Sequence, residues 1–149
     1  MRTIIQRVQH ASVTVDGKIT GEIQHGILAL VGFEPDDTTE DFEWIAKKII
    51  QLRIFNDENQ VMNLDVQQTK GEILVVSQFT LHAATKKGNR PSYIKASKPD
   101  LAVEQYEEFL SVLEKTYQPV QKGIFGADMK VELLNDGPVT IFIDSKNKE

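Results

Sequence analysis

The sequence contains no cysteine and only three histidines among its 149 residues. The absence of cysteine excludes disulfide bonds, thiolate catalysis and cysteine-ligated zinc together. The histidines are His10, His25 and His82, and no two of them have a spacing that places them on one face of a helix. Since a zinc site needs several such ligands close together, we expect no metal centre.

Long apolar runs, internal repeats and low-complexity tracts are also lacking. No stretch approaches the ~20 apolar residues of a membrane-spanning helix. The segment Met1-Arg2-Thr3-Ile4-Ile5 is typical of a strand and lacks the apolar core of a signal peptide. Hydrophobic residues make up 40% of the chain and charged residues 26%, an ordinary globular composition. We therefore expect one domain over residues 1–149, located in the cytoplasm.

The net charge of -5 disfavours a nucleic-acid partner at first sight, because phosphate binding relies on lysine and arginine. The charge is unevenly distributed, however, since residues 82–98 contain five of the 17 cations and none of the 22 carboxylates. Within this basic segment, Lys86, Lys87 and Arg90 are candidates for contacts with an RNA backbone. The alternative is a solvated loop whose cations only keep the protein soluble, and the sequence leaves both open.

Apolar periodicity predicts a mixed α/β fold with many strands and two helices packed on a sheet. Alternation over Thr3 to Val8 and Ser12 to Asp16 predicts two strands, and Asp16-Gly17 predicts the hairpin turn that follows. The nearly continuous apolar runs Gly26 to Phe33 and Glu72 to Gln78 are typical of buried strands. Further strands are predicted at 18–24, 53–56, 129–134 and 139–143.

Two helices are predicted from start signals followed by apolar stripes. Asp37 and Glu40 have the spacing of a capping box before the first helix. Its buried face is predicted to comprise Phe42, Ile45, Ala46, Ile49 and Ile50. The second helix is predicted from about Lys98 to Tyr117, with Ser97 as its N-cap and Pro99 in its first turn. Its apolar stripe is predicted to comprise Tyr106, Phe109, Leu110, Leu113 and Tyr117.

Ser77 and Thr80 lie at the end of a predicted strand, where a rigid scaffold presents groups to a ligand. A hydroxyl nucleophile needs a base, but no hydrolase elbow motif is present, and strand alternation places Ser77 and Thr80 on opposite faces. The nearby His82 is predicted to be a surface loop residue. We therefore expect catalysis without a side-chain nucleophile, with backbone N–H groups around Phe79 and Thr80 binding a developing oxyanion. The simpler alternative is a strand end whose hydroxyls bond to the local backbone.

Gly137 and Pro138 lie between the apolar runs Val131 to Leu134 and Val139 to Ile143, and they predict a tight turn between two strands. A cis peptide bond before Pro138 would leave carbonyl groups projecting with no side chain in the way. Such carbonyls accept hydrogen bonds from an ammonium group. The alternative is an ordinary turn.

Seven short segments together resemble the bacterial D-aminoacyl-tRNA deacylases, enzymes that hydrolyse the ester linking a D-amino acid to tRNA. They are Gln6-Arg7-Val8, Ala11-Ser12-Val13, Met62-Asn63-Leu64, Ser77 to Leu81, Gly88 to Ser92, Phe125 to Met129, and Asn135 to Thr140. Any one of them is a weak indication, whereas their joint presence in this order over essentially the whole chain is specific. Tyr93 stands where the family pattern has phenylalanine, which keeps an aromatic ring.

The resemblance implies a layered β/β/α fold with two main helices packed on sheet, a homodimer, and no cofactor. The implied catalytic residues are Ser77, Gln78, Phe79 and Thr80. Gly137 and Pro138, joined by a cis peptide bond, would reach this site from the other subunit and reject L-amino acids by collision. The terminal adenosine of tRNA would lie near Phe79 and Phe125, its 2′-OH would assist hydrolysis, and Arg7 would support the site. Glycyl-tRNA, such as glycine mischarged on the tRNA for alanine, would be a second substrate because glycine has no side chain to reject.

Two other classes of function stay open on the residues alone. One is a serine or threonine esterase that acts on small molecules, and the other is a non-catalytic module that binds RNA or another partner. A covalent adduct with a phosphonate would favour the esterase. Tight binding of tRNA without turnover would favour the binding module.

Overall fold

The structure is a computed structural model that describes all residues 1–149. It contains eight strands and two α-helices, which confirms the predicted mixed α/β class. In chain order these are β1 (Arg2–Val15), β2 (Lys18–Ile23), β3 (Gly26–Gly32), α1 (Thr39–Gln51), β4 (Phe55–Asn56), β5 (Met62–Leu64), β6 (Glu72–Ser77), α2 (Pro99–Thr116), β7 (Val120–Lys122) and β8 (Lys130–Asp144). A 3-10 helix, Phe79–His82, follows β6. Neither α-helix is long and apolar enough to cross a membrane.

The long strand β1 organises the main sheet because it pairs with three other strands. β8 runs antiparallel along one edge of β1, while the other edge pairs with β3 over its first half and with β2 over its second half. From β3 the sheet continues through parallel pairings to β6 and β7. Since β7 also contacts β2, the sheet is nearly closed on itself. β4 and β5 form a separate two-stranded ladder.

Two predicted breaks between strands are wrong, because in each case the two predicted strands belong to one continuous strand. The predicted strands Thr3 to Val8 and Ser12 to Asp16 are one strand, β1, and the predicted strands on either side of Gly137-Pro138 are one strand, β8. Gln6 lies opposite Thr140 and Val8 lies opposite Asn135, so residues 136–139 bulge out of a ladder that resumes beyond them. The tight turn predicted at Gly137-Pro138 is therefore a bulge, because both flanking segments pair with β1.

The two helices cover one face of the sheet, and their predicted apolar stripes are buried except for Tyr117, which is the C-cap of α2 and is half-buried. Residues Phe42, Ile45, Ala46, Ile49 and Ile50 of α1 and Tyr106, Phe109, Leu110 and Leu113 of α2 all belong to one apolar core. At its centre the Phe33 ring meets Phe42, Tyr106 and Phe109 in edge contacts with centroid separations of 5.7 to 6.4 Å. These interlocked aromatic rings fix the end of β3, and with it the wall of the site described below.

The helix caps differ from the prediction by one residue each. Thr38 is the N-cap of α1 and forms a reciprocal capping box with Asp41, in place of Asp37 and Glu40. The N-cap of α2 is Lys98 and not Ser97, and Pro99 occupies the first turn as expected. Thr38 is as suitable an N-cap as Asp37, whereas Lys98 is not a usual capping residue and its side chain makes no capping hydrogen bond. Asp37 and Ser97 are engaged in tertiary contacts instead: the Asp37 carboxylate binds the Met1 ammonium, and the Ser97 N–H donates to Phe33 O at 2.9 Å.

A second, smaller apolar cluster lies on the opposite, concave face of the curved sheet. It comprises Val8, Ala11, Val13, Ile23, Leu28, Leu74 and Val76. Met129 and Val131, around the start of β8, pack against this cluster and are only half-buried. The concave side of the sheet is therefore open near Met129 and Val131, beside the last residues of β6.

Candidate active site

The chain changes direction immediately after β6, where the sequence predicted that strand alternation would continue to Thr80. Gln78 leaves the strand with φ -145° and ψ 80°, and residues Phe79–His82 form the 3-10 helix. The Leu81 N–H donates to the Gln78 carbonyl oxygen at 3.2 Å. Because a helix leaves its first N–H groups without an intrahelical acceptor, those of Phe79 and Thr80 are free for a ligand.

The side chains of this segment form no nucleophile–base pair. Gln78 Nε2 donates to Thr80 Oγ1 at 2.5 Å, so the threonine hydroxyl is held by an amide. No histidine or carboxylate is hydrogen-bonded to Ser77 or Thr80. His82 is not the predicted surface residue but is 1% exposed, because the 3-10 helix turns it back against β3.

A cavity of about 800 Å³ opens beside this segment. Ser77, Gln78 and Phe79 line one side, and Phe125 lines it from the loop before β8. The Phe79 ring is 56% exposed and meets the Tyr93 ring edge-on at 5.1 Å. The cavity therefore combines polar groups at the end of β6 with aromatic walls that suit a flat, largely apolar ligand such as a nucleobase.

Four of the predicted site residues line the cavity: Ser77, Gln78, Phe79 and Phe125. Thr80, which was also predicted to be catalytic, does not line it, and neither do Gly137 and Pro138. Both are exposed, and their peptide bond is cis. Gly137 has φ +125°, a conformation that disfavours any residue with a β-carbon. Asn135 closes the base of the bulge, because its Nδ2 donates to Val139 O at 2.9 Å and to Arg7 O at 3.0 Å. The bulge is thus firmly held and faces solvent.

Arg7 lies directly behind the bulge and is 6% exposed. Its Nε donates to Asp136 O at 3.0 Å, and its Nη1 donates to Ile54 O at 2.6 Å. A β-carbon on Gly137 would lie 2.7 Å from Arg7 Nη2. Arg7 therefore contacts the bulge of its own chain and does not line the cavity.

Within the basic segment, residues 84–92 form a loop, here called the basic loop, none of whose residues lines the cavity. Lys86, Lys87 and Arg90 are all exposed, and none of them forms an ion pair. A β-bridge between Ala84 and Ser92 closes the base of the loop. This arrangement presents three free cations on a short loop that starts one residue after the 3-10 helix.

A cluster of carboxylates lies near the N-terminus, away from the cavity lining. Ligand atoms of Glu34, Asp36 and Asp37 lie within 4.8 Å of one another. Burial raises the pKa of the Asp37 carboxyl, against the opposing effect of the Met1 ammonium that binds it. Lys146 Nζ lies 3.8 Å from the same carboxylate. The Asp37 carboxylate is therefore already paired with two cationic groups of the chain itself.

Three residues that shape the site were not among the predicted site residues. Tyr93 and Lys98 line the cavity, and Asn135 holds the bulge. Tyr93 and Lys98 come from the loop that leads into α2, and their position depends on how that helix packs. Asn135 was part of the recognised segment, but its role depends on a bulge that local sequence does not distinguish from a turn.

Comparisons with known proteins show the family to which the chain belongs. A family model described as D-Tyr-tRNA(Tyr) deacylase matches residues 4–144. The D-aminoacyl-tRNA deacylases of Flavobacterium johnsoniae and Parabacteroides distasonis are each 65% identical to this chain, over 100% of both chains. A solved structure described as c-Myc DNA Unwinding Element Binding Protein has a TM-score of 0.92 at 42% identity, covering 97% of this chain and 98% of that chain. Another, described as a probable eukaryotic D-amino acid tRNA deacylase, has a TM-score of 0.78 at 16% identity over 95% and 97% of the two chains, a likeness of fold alone.

The protein is an ester hydrolase of the class that deacylates aminoacyl-tRNA. The chain belongs to the D-Tyr-tRNA(Tyr) deacylase family, whose reaction is the deacylation of D-aminoacyl-tRNA. The resemblance drawn from the seven sequence segments is confirmed.

Proposed function

We propose that this protein hydrolyses D-aminoacyl-tRNA without a side-chain nucleophile. The observation that carries the proposal is the free N–H group of Phe79, which lines the cavity, with that of Thr80 next to it in the chain. No base lies beside the hydroxyls of Ser77 and Thr80. These N–H groups bind the oxyanion that develops on the ester carbonyl. Ser77 and Gln78 orient the substrate and the attacking water. Such preorganised backbone donors supply much of the rate enhancement in acyl transfer.

The tRNA supplies the remaining chemistry in this proposal. The terminal adenosine occupies the cavity between Phe79 and Phe125, because aromatic rings are the usual surfaces on which proteins stack an unpaired base. Its 2′-OH then lies beside the ester and assists the attack of water. The exposed cations Lys86, Lys87 and Arg90 contact the phosphate backbone of the acceptor stem.

Chiral selection in this proposal requires a second copy of the chain. Gly137 and Pro138 lie outside the cavity of their own subunit, on an edge strand that pairs only with β1. β8 also exposes Leu134 by 47% and Phe142 by 56%, apolar surface that a symmetric partner would cover. In the homodimer, the bulge enters the cavity of the other subunit, reads the α-ammonium group of the substrate and collides with an L side chain.

Glycyl-tRNA is a second substrate of the proposed site, since glycine presents no side chain on either face of its α-carbon. Selection by collision therefore cannot exclude it. Residues 1–149 act as one deacylase domain, and its place of action is the cytoplasm, where aminoacyl-tRNA is made.

The direct test is hydrolysis of D-tyrosyl-, L-tyrosyl- and glycyl-tRNA by a catalytic amount of protein beside a no-enzyme control. We expect rapid loss of the D and glycyl esters and persistence of the L ester. Loss of both chiral esters would indicate an unselective esterase. Binding of tRNA without loss of any ester would indicate a binding module instead.

Mixing two inactive variants tests whether each active site is formed by residues of both subunits. Gly137→Arg places a bulky side chain on the bulge, and Phe79→Pro removes an N–H donor from the cavity wall. If each site combines elements of two subunits, mixed dimers contain one intact site, and random exchange restores about a quarter of wild-type activity. If both elements act within one subunit, mixing restores nothing.

A further inference from the structure

His82 is the residue of the site region that packing alone explains least. It is 1% exposed, and neither of its ring nitrogens has a hydrogen-bond partner. An unpartnered polar group in the interior lowers stability, so an apolar side chain of similar size would serve packing better. A buried histidine with both nitrogens free therefore calls for another role.

The imidazole joins the 3-10 helix to the end of β3. His82 is the last residue of the helix, and its Nδ1 lies 3.5 Å from Oε1 of Glu34. The other end of the ring packs on Gly32, where a β-carbon would lie 3.1 Å from Cδ2 and 3.3 Å from Nε2 of His82. The ring is thus held between a carboxylate and the bare backbone of a glycine.

The same glycine also meets the carbonyl group of Gln78. A β-carbon on Gly32 would lie only 2.7 Å from Gln78 O, so this oxygen and the His82 ring share the space that a side chain would fill. The Gln78 N–H is fixed as well, since it donates to Val31 O at 2.6 Å. Because the peptide group is planar, the direction of the Gln78 carbonyl sets the direction of the Phe79 N–H.

We propose that His82 is a positioning residue for deacylation: held against Glu34, its imidazole confines the Gln78 carbonyl over Gly32 and thereby aims the Phe79 N–H. This inference rests on the proposed binding of the oxyanion by that N–H group. His82 itself stays behind the cavity wall and does not touch the substrate. The loss of stability from an imidazole without hydrogen bonds is then offset by the fixed direction of the Phe79 N–H.

The test compares kcat, KM and Tm of His82→Phe and His82→Asn with the wild type, using D-tyrosyl-tRNA. His82→Phe keeps a ring of similar size but loses both nitrogens, so we expect kcat to fall about tenfold to a hundredfold, as when an oxyanion donor is impaired. KM should stay within about twofold, and Tm should be equal or higher because unpartnered polar atoms are removed. His82→Asn places an amide nitrogen near the position of Nδ1, where it can face Glu34, and we expect its kcat within about threefold of the wild type.

Ile49→Val is the matched control, because it loosens the core on α1, away from the cavity, and should lower Tm without changing kcat. The amide resonance of Phe79 gives a second measurement: it should shift in His82→Phe and return towards its wild-type position in His82→Asn. If His82→Phe kept the kcat of the wild type, the positioning role would be overturned. The same would follow if both variants lost kcat equally and in proportion to their loss of Tm. If the wild type itself left D-tyrosyl-tRNA intact, the proposed function would fail before the role of His82 came into question.

Discussion

Arg7 donates from Nε to the carbonyl oxygen of Asp136 at 3.0 Å, and through this bond β1 holds the residue that precedes Gly137. The Asp136 carboxylate lies 3.5 Å from the same nitrogen, and the guanidinium is almost fully buried. A buried arginine with several acceptors is a rigid support, since few of its rotamers keep all of its hydrogen bonds. The family resemblance implied only a general supporting role for Arg7, and its contacts make that role specific to the bulge.

Gly137→Ala tests the bulge as the chiral selector. The new β-carbon would meet Arg7 Nη2 at 2.7 Å and occupy a backbone conformation with φ +125°. We expect a loss of stability of about 1 kcal/mol or more, slower hydrolysis of D-tyrosyl-tRNA and a smaller preference for D over L. Gly17→Ala is the control, since Gly17 also has positive φ (+77°) but nothing within 4 Å of its β position. An unchanged D-to-L ratio in Gly137→Ala would remove the bulge from selection.

Thr80→Ala tests whether the threonine hydroxyl attacks the ester. Its Oγ1 accepts a hydrogen bond from Gln78 and has no base beside it. We therefore expect single-turnover hydrolysis of D-tyrosyl-tRNA within about tenfold of the wild-type rate, whereas loss of a true nucleophile costs about 10⁴-fold or more. Ser77→Ala should behave alike. A dead Thr80→Ala variant that retains its fold and its tRNA affinity would restore the covalent mechanism.

Charge reversal of Lys86 and Lys87 tests the contact with tRNA. Both ammonium groups are exposed and unpaired, so their phosphate contacts would release counterions. We expect the Lys86→Glu, Lys87→Glu double variant to bind tRNA more weakly and with a flatter dependence on salt concentration, while its Tm stays unchanged. Lys47→Glu with Lys115→Glu, on exposed faces of the two helices, makes the same change in net charge and serves as the control. Equal losses in both pairs would indicate only a general effect of charge.

The carboxylate of Asp41 predicts a dependence of stability on pH. Burial opposes its ionisation, but hydrogen bonds from Lys146, Ser145 and Thr38 outweigh burial and hold the pKa below its ordinary value of 3.8. A pKa lowered in the folded state means that the carboxylate stabilises the fold above about pH 4, and that this contribution disappears as pH falls through the folded-state pKa. The free energy of unfolding should therefore differ most between wild type and Asp41→Asn near neutral pH.

The difference between wild type and Asp41→Asn should shrink steadily when urea unfolding is repeated below about pH 4. Asp128→Asn is the control, because its carboxylate is 85% exposed and should change stability little at any pH. A difference for Asp41→Asn that stays constant down to acid pH would assign the effect to the neutral capping contacts alone.

Much of the fold could be predicted because it follows from local periodicity. The stripe from Phe42 to Ile50 and the buried run of β3 each have one arrangement that hides their apolar residues. The bulge at Gly137-Pro138 could not be predicted, since glycine followed by proline suits a turn equally well, and only pairing with β1 on both sides distinguishes them. The burial of His82 depends on a four-residue 3-10 helix that apolar periodicity does not reveal.

β8 carries Val131, which lines the cavity of its own subunit, and Gly137, which in the proposed dimer enters the cavity of the other. Val131 and Gly137 are six positions apart on this strand, at most roughly 20 Å, so one element connects the two sites. A ligand that displaces Val131 in one cavity would move the selecting bulge in the other. The two sites of the proposed dimer are therefore coupled. Binding of a ligand at one site should change the preference for D over L at the other.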